Sequence, residues 1–243
     1  MTISFSQMSR PQLLVSVRSL REAHEALAGG CDWLDVKEPL QGPLGAATPE
    51  VLQEIEAVAG SFVGWSAALG ELTRLTDDQW NRTVLRIPSL NLVKLGLADC
   101  LAVPDWPAKL KLLCQSLQST RLAMVYYADQ HLANSPLWKT IFETAVAIQA
   151  PVVLIDTYRK DGQKLTDFLP LNVLLQYRRE LEDVGIGLAL AGSLQQHDLP
   201  SLVDQVHPAI VAVRGAACLA GRNSEVCRSR VEQLKRILLN SKS

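Results

Sequence analysis

Val152-Val153-Leu154-Ile155 is apolar at every position and gives way at once to Asp156-Thr157-Tyr158-Arg159-Lys160. A strand with one face in water alternates apolar and polar side chains; a strand covered on both faces does not. Ile210-Val211-Ala212-Val213 reads the same way and ends at Arg214. Runs of this kind belong to a parallel sheet with helices on its faces. Working outward, short apolar runs recur at Gln12–Val17, Trp33–Val36, Phe62–Ala67, Leu92–Leu95, Arg121–Tyr126 and Gly187–Ala191, which makes eight predicted strands.

Amphipathic stretches separate them: Leu20–Ala28, Glu50–Ala59, Thr76–Leu85, Trp106–Leu117, Pro136–Ile148, Pro170–Leu181, His197–Val206 and Glu225–Leu239. Ser19 stands where the first helix needs an N-cap, and Thr48-Pro49 supplies a cap and a first-turn proline to the second. In the last stretch Val226, Val231, Leu234, Ile237 and Leu238 fall on one face. Eight strand–helix units fit a closed barrel or an open doubly wound sheet. The rhythm is even from end to end, no G-x-G-x-x-G follows the first strand, and no linker divides the chain. The expectation is a single (β/α)8 TIM barrel spanning residues 1–243, close to the ~250 residues typical of that fold.

Composition narrows the function. The chain carries 24 basic and 25 acidic residues, a balance that argues against a nucleic-acid or membrane-surface protein. No apolar run approaches the ~20 residues that cross a bilayer, and Met1 to Arg10 lacks the order of a signal peptide, so a cytoplasmic location is expected. The five cysteines are scattered, which reads as reduced thiols. No histidine has metal-ligand spacing to another histidine or a cysteine, so no metal site is expected.

In a barrel of this class the active site lies where the strands end. Strand two reads Trp33-Leu34-Asp35-Val36-Lys37. Side chains alternate along a strand, so Asp35 and Lys37 point inward together. Strand four brings Lys94 to the same rim, and strand six brings Asp156 and Lys160. Taken singly, each lysine reads as a solvated surface charge. Three of them ending different strands of one barrel point to chemistry. A desolvated amine near other cations loses its proton near neutral pH and can attack an aldehyde. The resulting iminium is an electron sink, and the remaining lysines and aspartates can move protons.

Strand seven runs into Ala191-Gly192-Ser193, and strand eight into Arg214-Gly215-Ala216. Barrel enzymes build phosphate sites from these two loops, using glycine and free amides. Gly192, Ser193, Gly215 and Ala216 are therefore expected to hold a phosphate, with Arg214 assisting; the plainer reading is tight turns. Leu40 to Ala47 (LQGPLGAA) is either a lid or an ordinary loop.

At these positions the sequence resembles the (5-formylfuran-3-yl)methyl phosphate synthase family, also described as 4-HFC-P synthase. The blocks are Gly30–Ala46 (GCDWLDVKEPLQGPLGA), Val93–Leu97 (VKLGL), Leu154–Leu169 (LIDTYRKDGQKLTDFL), Leu190–Leu194 (LAGSL) and Val213–Cys218 (VRGAAC). The resemblance implies a lyase of methanofuran biosynthesis and one-carbon metabolism. It implies condensation of two glyceraldehyde 3-phosphate molecules with loss of phosphate and water, and no metal or organic cofactor. By position it implies that Lys37 forms the Schiff base and that Lys94 is a general acid or base. Asp35, Asp156 and Lys160 would then assist. Three places depart from the family pattern: Gly70-Glu71 in place of Gly-Asp, Tyr126-Tyr127-Ala128-Asp129 in place of Gly-Tyr-Ala-Asp, and Gly221-Arg222-Asn223-Ser224, which lacks a final glycine. The residues alone leave two rivals open, a class I aldolase on another phosphorylated aldehyde and a non-catalytic phosphometabolite-binding barrel. A homo-oligomer is compatible with either.

Overall fold

The computed structural model describes residues 5–59, 64–84, 87 and 89–240. Eight parallel strands close on themselves in sequence order. They are β1 (Gln12–Val17), β2 (Trp33–Val36), β3 (Gly64–Glu71), β4 (Leu92–Gly96), β5 (Arg121–Tyr127), β6 (Val152–Asp156), β7 (Gly187–Leu190) and β8 (Ile210–Val213). Register runs without a break from β8 through β1 to β2: Ala212 pairs with Leu14 and Leu14 with Trp33. The open doubly wound alternative is thereby excluded. The eight main helices are α1 (Leu20–Ala28), α2 (Pro49–Ala59), α3 (Asp77–Val84), α4 (Trp106–Ser116), α5 (Trp138–Ala147), α6 (Leu171–Asp183), α7 (Leu199–Val206) and α8 (Arg228–Asn240).

Two apolar regions hold the barrel together. The larger lies between strands and helices, where Val15, Leu34, Trp65 and Ile155 meet Ala23, Ile55, Leu174 and Leu202. The smaller fills the barrel itself. Its lower end is plugged by Leu14, Trp33, Leu92 and Ile210, with Phe5 packed 5.4 Å from the Trp33 ring. Its upper wall is built from small residues, Ala68, Ala123, Ala191 and Ala212. Large side chains below and alanines above place the main cavity at the C-terminal ends of the strands.

Some boundaries differ from expectation. The Phe62–Ala67 strand begins partly outside the described residues and runs on to Glu71, with a bulge between Ala68 and Glu71. Gly70 takes a left-handed φ of 83° there, a conformation open to glycine, and its amide donates to the Leu44 carbonyl. Leu85, the predicted end of α3, lies outside the described residues. The last helix starts at Arg228, three residues later than Glu225, because Val226 pairs with Cys218 in an antiparallel bridge. β7 stops at Leu190, one residue before Ala191. Two one-turn helices, Gln130–Ala133 and Leu165–Phe168, carried no signal in the sequence. Among the described residues no helix is long and apolar enough to cross a membrane.

Candidate active site

The alternation that buries Trp33 at the bottom of β2 lifts Asp35 and then Lys37 up the inner wall. Neighbouring strands lay Ser16 and Ser66 beside Asp35 in register. Asp35 accepts from the Ser16 hydroxyl at 3.0 Å and the Ser66 hydroxyl at 2.8 Å, and forms an ion pair with Lys94 from β4. Burial alone would raise its pKa. The Lys94 and Lys37 charges and these hydrogen bonds overcome that and hold the carboxyl below its ordinary range. The sequence reading missed both serines, although a lone serine in an otherwise apolar strand was a visible sign.

A second pair stands on the other side. Asp156, the last residue of β6, accepts from the Lys160 amine at 2.6 Å and from the Thr157 amide at 2.8 Å. Lys160 also donates to the Thr157 hydroxyl at 3.1 Å. Burial would raise Asp156, and Lys160 followed by Lys37 brings it down. Asp35 and Asp156 are therefore carboxylates held charged inside the protein by their lysines.

Lys37 lies between these pairs and differs from its two neighbours. It is buried, and its amine donates to the Pro43 carbonyl at 3.2 Å. Among the described residues no carboxylate lies within ion-pairing distance of it. Desolvation lowers its pKa to about 8, against the pull of Asp156 and Asp35. At pH 7 a pKa near 8 leaves about one amine in ten unprotonated, against roughly one in several thousand for an ordinary lysine.

These groups face a cavity of about 400 Å³, lined by all ten residues singled out from the sequence. Lys37, Lys94, Asp35, Asp156 and Lys160 form one end, and Gly192, Ser193, Gly215 and Ala216 another. Gly192 has φ 96°, and a Cβ there would sit 3.1 Å from both Leu165 and Thr157, so the loop needs glycine. Gly215 and Ala216 open a 3-10 turn, which leaves their amides without partners inside it.

Arg214 must be reassigned. Its five N–H groups are taken up by Glu22 (2.8 and 3.2 Å) and by the carbonyls of Ser16, Arg222 and Ser224. No donor is left for a phosphate. Both members of the Arg214–Glu22 pair are buried, and the pair ties α1 to the end of β8. Nothing in the local sequence revealed Glu22, which is 192 residues away.

The loop after β2 packs against the barrel mouth. The Glu38 amide donates to the Gly45 carbonyl at 2.8 Å, and Leu44 is buried against the barrel interior. Lys164 and Arg222 are among the cavity-lining residues that the sequence did not single out. Lys164 pairs with Asp198 at 2.5 Å. Arg222, on the loop after β8, reaches across to the carbonyls of Pro39 and Gly42.

Known proteins resemble this chain over most of its length. A family model described as 4-HFC-P synthase matches residues 13–235. The (5-formylfuran-3-yl)methyl phosphate synthase of Methanopyrus kandleri is 33% identical over 229 residues, covering 91% of this chain and 96% of its own. The Methanocaldococcus jannaschii protein of the same name is 29% identical, covering 93% and 98%. Among solved structures, phosphoribosyl anthranilate isomerase from Thermotoga maritima superposes with a TM-score of 0.63 at 17% identity, covering 94% and 98% of the two chains. KGPDC from Streptococcus mutans gives 0.63 at 12% identity, covering 96% and 99%. At these identities the structural likeness shows the barrel fold alone.

Proposed function

Since the chain belongs to the 4-HFC-P synthase family, we propose that it makes (5-formylfuran-3-yl)methyl phosphate from two molecules of glyceraldehyde 3-phosphate, as a Schiff-base-forming lyase of methanofuran biosynthesis. The observation that carries the mechanism is the buried Lys37 amine, which has no carboxylate partner and stands between two lysine–aspartate pairs.

Lys37 attacks the aldehyde carbon of the first molecule. The adduct loses water and becomes an iminium, which acidifies the proton on the next carbon. Loss of that proton gives an enamine. The enamine expels the phosphate on the third carbon as inorganic phosphate, leaving an enol whose terminal carbon is nucleophilic. That carbon adds to the carbonyl carbon of the second molecule in its ketone form, making the new carbon–carbon bond, and ring closure through oxygen with loss of two waters gives the furan. The Asp35–Lys94 and Asp156–Lys160 pairs give and take these protons, each lysine as acid and each aspartate as base. Amides of Gly192, Ser193, Gly215 and Ala216 hold one phosphate group.

Incubation with glyceraldehyde 3-phosphate as sole substrate tests this reading. A furan aldehyde absorbs in the near ultraviolet and releases inorganic phosphate as it forms; a simple aldol product does neither. Lys37→Ala should abolish both signals while circular dichroism shows a folded barrel. Aldol product without furan would support the aldolase rival. Tight binding without turnover would support a non-catalytic barrel.

A further inference from the structure

The two arginines near the end of β8 sit in opposite states. Arg214 has every donor engaged and a buried carboxylate beside it. Arg222 is half-buried and lines the cavity, yet among the described residues no carboxylate lies within ion-pairing distance of it. Its hydrogen bonds to the protein, at 3.2 and 3.4 Å, both come from Nη2 and both go to neutral carbonyls, of Pro39 and Gly42. A guanidinium carries five N–H groups in a planar fork suited to phosphate. A partly desolvated cation that has only two long bonds to carbonyls is a costly arrangement unless an anion completes it. Asp156 lines the same cavity, and its charge acts on the Arg222 guanidinium.

The position of the side chain is informative. The backbone of Arg222 leaves the β8 loop near Gly215, but its guanidinium ends over the β2 loop. The amides of Gly192, Ser193, Gly215 and Ala216 lie on the β7–β8 side. The cavity thus has an anion cradle made of backbone and, over the β2 loop, the Arg222 guanidinium without a carboxylate partner.

We propose that Arg222 is a second phosphate-binding residue, which takes the phosphate of the other triose phosphate while the backbone cradle holds the first. The proposal rests on the synthase reading for the identity of that anion. Phosphate displaces the Pro39 and Gly42 carbonyls, which are weaker acceptors, and the guanidinium then fixes the second molecule with its carbonyl toward the Lys37 adduct. No bond is made or broken at Arg222.

Calorimetric titration with inorganic phosphate tests the site without turnover. The wild-type chain should take up two phosphates and Arg222→Gln one, the remaining one showing that the variant is folded. In parallel, Arg222→Gln should raise KM for glyceraldehyde 3-phosphate and weaken inhibition by inorganic phosphate, each about ten- to a hundredfold, as expected for losing a charge-assisted contact. Arg222→Lys keeps a cation without the fork and should fall between; it decides the matter if the glutamine variant binds no phosphate at all. Two phosphates bound by Arg222→Gln with wild-type KM, or a loss of kcat with unchanged phosphate inhibition, would overturn the assignment while leaving furan synthesis intact. Two phosphates in the wild type, one in the variant and no furan from either would instead sink the synthase reading and keep the site.

Discussion

The lower and upper halves of the barrel interior are built on the same strands with the same alternation, yet they obey opposite rules. On β2 the inner wall goes from Trp33 to Asp35; on β4 from Leu92 to Lys94; on β6 from Leu154 to Asp156. Each step is two residues, or about 6.6 Å along the strand. Below it, apolar side chains fill the space and contribute stability. Above it, alanines leave room and buried charges are held in place by each other. The rigid lower plug is what lets the mouth keep an arrangement that does little for stability.

The sharpest way to break this comparison is to exchange charge for bulk at the mouth. Lys37→Met should lower furan formation on the order of 10⁴-fold while leaving the barrel no less stable, because it removes a desolvated amine and no ion pair. Near-ultraviolet assay and urea unfolding read the two effects separately. Lys94→Met should behave differently. It strands Asp35, and should cost about 3 kcal/mol in stability as well as about a hundredfold or more in rate. If both variants were equally stable, the distinction drawn between a paired and an unpaired lysine would fail.

The plug predicts the reverse pattern. Trp33→Ala empties the barrel floor and should cost about 3 kcal/mol, with KM for glyceraldehyde 3-phosphate unchanged. A large change in KM would mean that the two halves are mechanically linked.

Acidity gives a smaller effect. Lys37 must be neutral to react, so kcat/KM should rise about tenfold per pH unit below 8 and level off above it. Stability follows a separate course. Between about 8 and 10.5 the unfolded chain keeps a proton on Lys37 that the folded chain has released, so unfolding free energy rises with pH across that window. Asp35 and Asp156 have lowered values, so their contribution is present above the ordinary carboxylate range and is lost as pH falls below it. The smallest effect is expected at the exposed Arg21–Glu225 pair, where Arg21→Ala should change stability by less than about 0.5 kcal/mol.

Legibility in the sequence followed the range of the forces involved. The apolar runs at 152–155 and 210–213 announced strands covered on both faces, because burial acts residue by residue. Alternation alone put Asp35 beside Lys37, and placing Lys94, Asp156 and Lys160 at strand ends gathered one site. What failed was whatever depended on a distant partner. Arg214 looked free for phosphate because Glu22 was out of sight, and α8 seemed to start at Glu225 because the Cys218–Val226 bridge was. Arg222 sits in a polar loop with no periodicity and could be found only by where its side chain ends.

The central claim is that Lys37, and neither Lys94 nor Lys160, supplies the nucleophilic amine. Reduction with borohydride in the presence of glyceraldehyde 3-phosphate, followed by peptide mass mapping, tests it most directly. A reduced adduct on Lys37, with Lys94 and Lys160 unmodified, is the predicted result. An adduct on Lys94 or Lys160, or none on any lysine during furan formation, would contradict it.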